Sequence, residues 1–158
     1  MRGRESRGEA LVIGPETLHG VRVMVIDDSN TIRRSAELFL RQAGCDVILA
    51  DNGFSALTKI TEHHPDVIFV DIMMPRLDGY QACALIKRNP KFKSTPVIML
   101  SSKDGVFDRA KGRMVGSDEY LTKPFTREDL ILAVTAHAPK NTGTDQESSY
   151  GDQKSSCG

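Results

Sequence analysis

Apolar residues in this chain fall into two alternating rhythms. Short continuous runs, such as Val23-Met24-Val25-Ile26, Val67-Ile68-Phe69-Val70 and Pro96-Val97-Ile98-Met99-Leu100, give way to longer stretches with helix-period apolar positions. Unbroken Val, Ile and Met runs suit strands buried on both faces, the habit of a parallel sheet covered by helices. Strands are therefore predicted near 21–26, 46–50, 67–70, 96–100 and 118–121, and helices near 30–43, 54–63, 77–88, 105–115 and 127–138. Local chemistry marks several boundaries. Ser29 or Asn30 can cap the first helix and Gly44 can end it. Thr126-Arg127-Glu128-Asp129 is a capping-box-like start, with Asp where Glu is usual, and Leu130, Ile131 and Val134 then share one buried face. Five βα units imply an α/β fold, a doubly wound five-stranded parallel sheet with five helices.

The pattern also bounds the folded unit. Residues 1–20 are Gly- and Arg-rich with few periodic apolar positions and read as a flexible lead-in. Residues 139–158 turn to Ser, Gly, Asp, Lys and Gln and read as a disordered tail, which leaves 21–138 as one domain. Composition changes little in this picture. Lys plus Arg and Asp plus Glu both number 21, so no global field favours nucleic acid or anionic lipid. Leu11-Val12-Ile13 is too short for a signal core, and no apolar stretch reaches transmembrane length; a cytoplasmic protein without membrane insertion is expected. Cys45, Cys83 and Cys157 stand at unrelated spacings, fit neither zinc nor CxxC patterns, and read as reduced thiols.

Chemistry enters at the strand ends. The first run ends in Asp27-Asp28, the third in Asp71 and the fifth in Lys123-Pro124, while the fourth delivers Ser101-Ser102. In open α/β sheets ligands bind at that edge. Carboxylates gathered there repel one another unless a hard cation neutralises them, and an oxygen-only cluster suits magnesium. These parts fit phosphoryl transfer to a carboxylate. An aspartate is a competent nucleophile toward phosphorus, and the transferring oxygens need a metal and a cation placed in advance. Asp28 and Asp71 can bind the metal, Lys123 can meet the phosphoryl oxygens, and Ser101 can donate a hydroxyl. Adjacent side chains at a strand end diverge, so the chain must already be turning if both Asp27 and Asp28 face the cleft.

Other residues read more plainly. His63-His64 before Pro65 suit a solvated helix end, Cys83 suits packing, and Arg33-Arg34 suit a solvated helix face. Arg109, Lys111 and Arg113 lie along the fourth helix as a soluble surface or a partner-facing one. Three rival functions fit less well. A haloacid-dehalogenase-type phosphatase needs Asp-x-Asp-x-Thr after its first strand, but Asp27-Asp28-Ser29-Asn30-Thr31 has serine at the second required acid. A flavin or nucleotide module wants a Gly- or Ser/Thr-rich phosphate loop where this chain has acids. A DNA-binding regulator would need a helix-turn-helix segment, and none follows residue 138.

The ordered set Asp27-Asp28, Asp71 with Met74-Pro75, Ser101, Tyr120 and Lys123-Pro124-Phe125 resembles the CheY-like receiver domains of two-component response regulators over residues 21–138. The resemblance implies a flavodoxin-like sheet of order 2-1-3-4-5. It implies that Asp71 accepts a phosphoryl group from a CheA-like histidine kinase or phosphotransfer domain. Mg2+ would be held by Asp28, Asp71 and the Met73 backbone carbonyl, with Asp27 acting through water. Lys123 would pair with the phosphate, Ser101 would move to bond it, and Tyr120 would turn inward as the switch. The Lys123-Pro124 bond is expected to be cis. A pilus-motor or regulatory protein would be met at the face of the fourth helix, fifth strand and fifth helix. The segments VMVIDDSNTIRRSAE, FVDIMMPRLDGYQACALIK and STPVIMLSSKDGVFDRAKGRMVGSDEYLTKPF further resemble the PilG-type, single-domain regulators of type IV pilus twitching motility. Two positions depart from the chemotaxis regulator, which has asparagine at Met73 and glutamate at Lys103. Both flank the path of a hydrolytic water, so slower self-dephosphorylation is expected.

Overall fold

The computed structural model describes residues 18–102 and 109–139. Five strands alternate with five helices: β1 (Arg22–Ile26), α1 (Asn30–Gln42), β2 (Asp46–Ala50), α2 (Gly53–His63), β3 (Val67–Asp71), α3 (Gly79–Arg88), β4 (Val97–Ser102), α4 (Arg109–Val115), β5 (Glu119–Lys123) and α5 (Arg127–His137). All pairings are parallel and the order is β2-β1-β3-β4-β5, the doubly wound flavodoxin-like arrangement the alternation predicted. Every strand therefore ends at one edge. β3, the middle strand, is buried along its whole length, as its unbroken apolar run requires.

Side chains leave alternate faces of the sheet and build two apolar layers. Val23, Val25, Val67, Phe69, Ile98 and Leu100 pack with α1 and α5 through Leu40, Leu130, Ile131 and Val134. Met24, Ile26, Ile68, Val70, Val97 and Met99 pack on the other face with Ile60 of α2 and Ile86 of α3. Leu18 also joins the first layer, its N–H donating to the Ala43 carbonyl at 2.8 Å, so the core takes in a residue that the pattern assigns to the lead-in.

Helix ends follow their chemistry. Ser29 accepts from the Ile32 N–H, and Gly44 (φ 99°) closes α1 with Gly44 N–H to Arg41 O and Cys45 N–H to Leu40 O, a Schellman motif. Thr126 and Asp129 form the reciprocal capping box, so the aspartate serves where glutamate is usual. α3 starts at Gly79 rather than near 77 because Asp78 and Gln81 form a second capping box. β3 runs one residue and β4 and β5 each run two residues past their predicted ends, because the ladder continues through polar residues: Asp71 pairs with Leu100 and Ser102 with Lys123. The predicted start of the fourth helix, 105–108, lies outside the described residues. His64 is more than a solvated terminus: it takes the left-handed cap of α2 (φ 48°) and its ring lies 5.5 Å from Phe92.

Candidate functional site

The shared strand edge brings the predicted acids together. Carboxylate oxygens of Asp27, Asp28 and Asp71 all lie within 4.8 Å of one another. Asp27 is fully buried, Asp71 is 3% exposed, and Asp28 is open to solvent. Two consecutive residues reach one cleft because the chain turns as β1 ends. The Ser29 N–H donates to Asp27 Oδ1 at 2.9 Å, and Ser29 then caps α1.

Lys123, at the end of β5, reaches across β4 to both buried acids. Its Nζ is 3.1 Å from Asp27 Oδ2 and 3.0 Å from Asp71 Oδ1. Spacing alone placed Lys123 as a counter-charge for phosphate; here it also bridges the two carboxylates. One cation shared by two acids leaves Asp71 poorly compensated. Burial, then the Asp27 charge, push its carboxyl up to about 6, against the pull of Lys123 and the Met73 N–H. For Lys123, burial alone would lower the pKa, but the hydrogen bond it donates to Asp71, with the charge of Asp27 and the hydrogen bond donated to it, outweighs burial and holds the ammonium above its usual range. Net negative, oxygen-only and open on the Asp28 side, the cluster fits a hard divalent cation.

The β3–α3 loop is held against the site. The Met73 N–H donates to Asp71 Oδ1 at 3.3 Å, and the Met73 side chain is 72% exposed at the rim. Gly79 matters through space more than through turn flexibility. A Cβ there would sit 2.5 Å from the Asp71 carbonyl oxygen and 2.7 Å from Ile72 Cα, so α3 packs directly on the backbone that carries the central acid.

Ser101 and Tyr120 occupy successive places toward the sheet's edge. Ser101 is buried, one residue past Leu100, the β4 partner of Asp71, and is itself paired with Thr122. Tyr120 is half-buried against the α2–α3 layer. The Arg109 guanidinium donates to its hydroxyl at 2.7 Å and lies 5.3 Å from its ring centroid. Arg109 and Arg113 line an open groove of about 710 Å³ with Tyr120, Thr122 and Pro124, on the face formed by α4, β5 and α5. Lys103 lies outside the described residues.

Two residues without a predicted role at the site belong to this neighbourhood. Arg33 is half-buried and not merely solvated: Nη1 donates to the Asp27 carbonyl at 2.7 Å and Nη2 to Asn30 Oδ1 at 3.2 Å. Arg34 does stand in solvent, paired with Glu37. Arg76 adopts a left-handed backbone (φ 68°) and stacks on Phe54, its Cζ 5.3 Å from the ring centroid. Lys123-Pro124 is cis.

A five-stranded parallel sheet of this order, with an acid pair after β1, an acid ending β3 and a lysine ending β5, defines a signalling receiver. The chain belongs to the response regulator receiver domain family, which matches it over residues 23–135. It is 69% identical over 126 residues to Protein PilG of Pseudomonas aeruginosa, covering 80% of this chain and 93% of that protein. Among solved structures it resembles the chemotaxis protein CheY4 of Vibrio cholerae, with a TM-score of 0.71 and 31% identity over 74% of this chain and 98% of that one. The receiver domain of a Francisella response regulator matches with a TM-score of 0.66 and 36% identity, covering 74% and 95%. Receiver domains take phosphoryl groups from histidine kinases and act on downstream effectors, so this chain is a signalling protein. None of its described helices is long and apolar enough to cross a membrane.

Proposed function

We propose that the chain is a phosphorylation-driven switch in which Asp71 receives the phosphoryl group of a CheA-like histidine kinase or phosphotransfer domain. The observation that carries this reading is the position of Asp71, buried in the central strand within 4.8 Å of two other acids and bonded to Lys123. One Asp71 oxygen forms the bond to phosphorus as the bond to the donor's histidine nitrogen breaks, and that nitrogen leaves with its electron pair. Asp28, Asp71 and the Met73 carbonyl would hold Mg2+, with Asp27 assisting through water; when bound, the ion would supply charge neutralisation for the transferring oxygens. Lys123, already 3.0 Å from Asp71, pairs with the phosphoryl oxygens, which relieves the crowding of two acids on one cation.

Ser101 and Tyr120 carry the signal outward. Ser101 closes on the phosphoryl group, Tyr120 turns inward, and the face of α4, β5 and α5 changes its affinity for an effector. The high identity to PilG over almost all of that protein supports control of type IV pilus twitching motility, with a pilus-motor or regulatory protein as effector. Incubation with acetyl phosphate, with and without Mg2+, tests the chemistry: labelling is expected only with metal and is lost in Asp71→Asn. Labelling that survives the substitution overturns the assignment. Restored twitching in a Pseudomonas aeruginosa strain lacking PilG, by the wild-type chain but not by Asp71→Asn, tests the pathway.

A further inference from the structure

The acid pair faces a geometric problem that the ladder does not solve. Consecutive residues on a strand point to opposite sides, yet Asp27 and Asp28 both bring an oxygen into one 4.8 Å cluster. The chain must therefore leave the strand conformation at Asp27. There the Asp27 N–H still donates to the Ala50 carbonyl at 3.1 Å, but β2 ends at Ala50 and supplies no further rung for the Asp27 carbonyl. The Arg33 guanidinium takes that carbonyl at 2.7 Å from one turn inside α1, and its second arm holds Asn30 Oδ1, the first residue of the helix. A rigid fork thus ties the carbonyl preceding Asp28 to the helix that follows it.

We infer that Arg33 is a positioning residue for the metal ligand Asp28, fixing the acid turn so that Asp28 meets Asp27 and Asp71 over one cation. This inference rests on the proposed Mg2+ site. It also makes a prediction opposite in sign to simple electrostatics. Arg33 carries a positive charge close to the acids, so if charge were its whole effect, removing it would tighten binding of a dication. If positioning dominates, removing it weakens binding although the site becomes more negative.

The test is calorimetric titration of MgCl2 into the full chain, comparing wild type, Arg33→Met, Arg33→Lys and Asp28→Ala. Arg33→Met should weaken Mg2+ by about tenfold, the low end of what a group orienting a metal ligand is worth. Arg33→Lys, which keeps the charge and one donor, should recover part of the loss. In an Asp28→Ala background Arg33→Met should add little, since the ligand it positions is gone. Affinity unchanged or tightened in Arg33→Met overturns the inference, as does an undiminished further loss in the Asp28→Ala background. A wild-type chain that binds no Mg2+ overturns the metal site itself, and the positioning role with it. Thermal unfolding in EDTA guards against a trivial cause: a variant that loses Mg2+ affinity because it is largely unfolded shows no cooperative transition, and Arg33→Lys then decides.

Discussion

Lys123 and Asp71 meet at 3.0 Å across an intervening strand, and the same ammonium lies 3.1 Å from Asp27. Without metal or phosphate, the lysine is therefore the acids' internal cation, and a metal ion must compete with it. Lys123→Met should tighten Mg2+ binding roughly tenfold or more, since a unit charge ~4 Å away is worth ~1–4 kcal/mol at the effective dielectrics of such sites. The same variant should lose effector binding on phosphorylation. Calorimetry and a pull-down with acetyl phosphate separate the two effects, and weaker Mg2+ binding would contradict the competition.

Asp71 titrates near 6 in the folded chain, against about 4 for an ordinary aspartate. The folded state thus holds a proton that the unfolded state has already released between those values. Asp71's contribution to stability is full below pH ~4, falls as pH rises through about 6, and stays lost above it. In EDTA at pH 7, Asp71→Asn should stabilise the fold by on the order of 2 kcal/mol, raising Tm by several degrees. At pH 4 the gain should vanish. Paired melts at the two pH values check the sign; a variant less stable at pH 7 refutes it.

The same proton bears on phosphorylation. A neutral carboxyl is no nucleophile, so at limiting Mg2+ the rate with acetyl phosphate should drop as pH falls through about 6. Saturating Mg2+ favours the carboxylate and should move the midpoint lower. An identical midpoint at both metal levels would separate the titration from the metal.

At Gly79 a methyl group would meet backbone atoms, not a flexible side chain. Gly79→Ala should cost about 1–3 kcal/mol, typical of overpacking, and should slow phosphorylation by displacing Asp71. Chemical denaturation and labelling rates measure both, and an unimpaired rate would show that the loop absorbs the shift.

Met73 stands at the rim with 72% of its surface exposed, and under the proposed chemistry a water approaching the phosphoryl group would pass it. Its thioether cannot orient that water as an amide can. Met73→Asn should therefore speed loss of the phosphoryl group about tenfold, near 1.4 kcal/mol of barrier. Decay of the labelled chain in magnesium buffer decides it; an unchanged half-life would leave the slow-decay expectation without support at this residue.

Strand ends made much of this legible in the sequence. A charge that terminates an apolar run must emerge at one edge of a parallel sheet, so Asp27, Asp28, Asp71 and Lys123 could be grouped from order alone. What escaped the reading depends on contact across space. Arg33 has the sequence context of any surface arginine on a helix, and only the turn at Asp27 reveals its use. Gly79 lies eight residues after Asp71, and its closeness to that backbone follows from how α3 docks. The two capping boxes show the same contrast. Thr126 and Asp129 sit beside a clear apolar face, whereas the predicted start near 77 overlooked the pair Asp78 and Gln81.

The alternation along β5 places neighbouring residues in different halves of the molecule: Tyr120 packs into the layer of α2 and α3, and Leu121 into that of α1 and α5. A rotation of Tyr120 is thus confined to one side of the sheet. The acid turn and α1 lie on the other side, so in the proposed switch the turn of Tyr120 would leave them in place. In the proposed switch, the molecule would thus alter what it shows to others without disturbing the turn that reads the message.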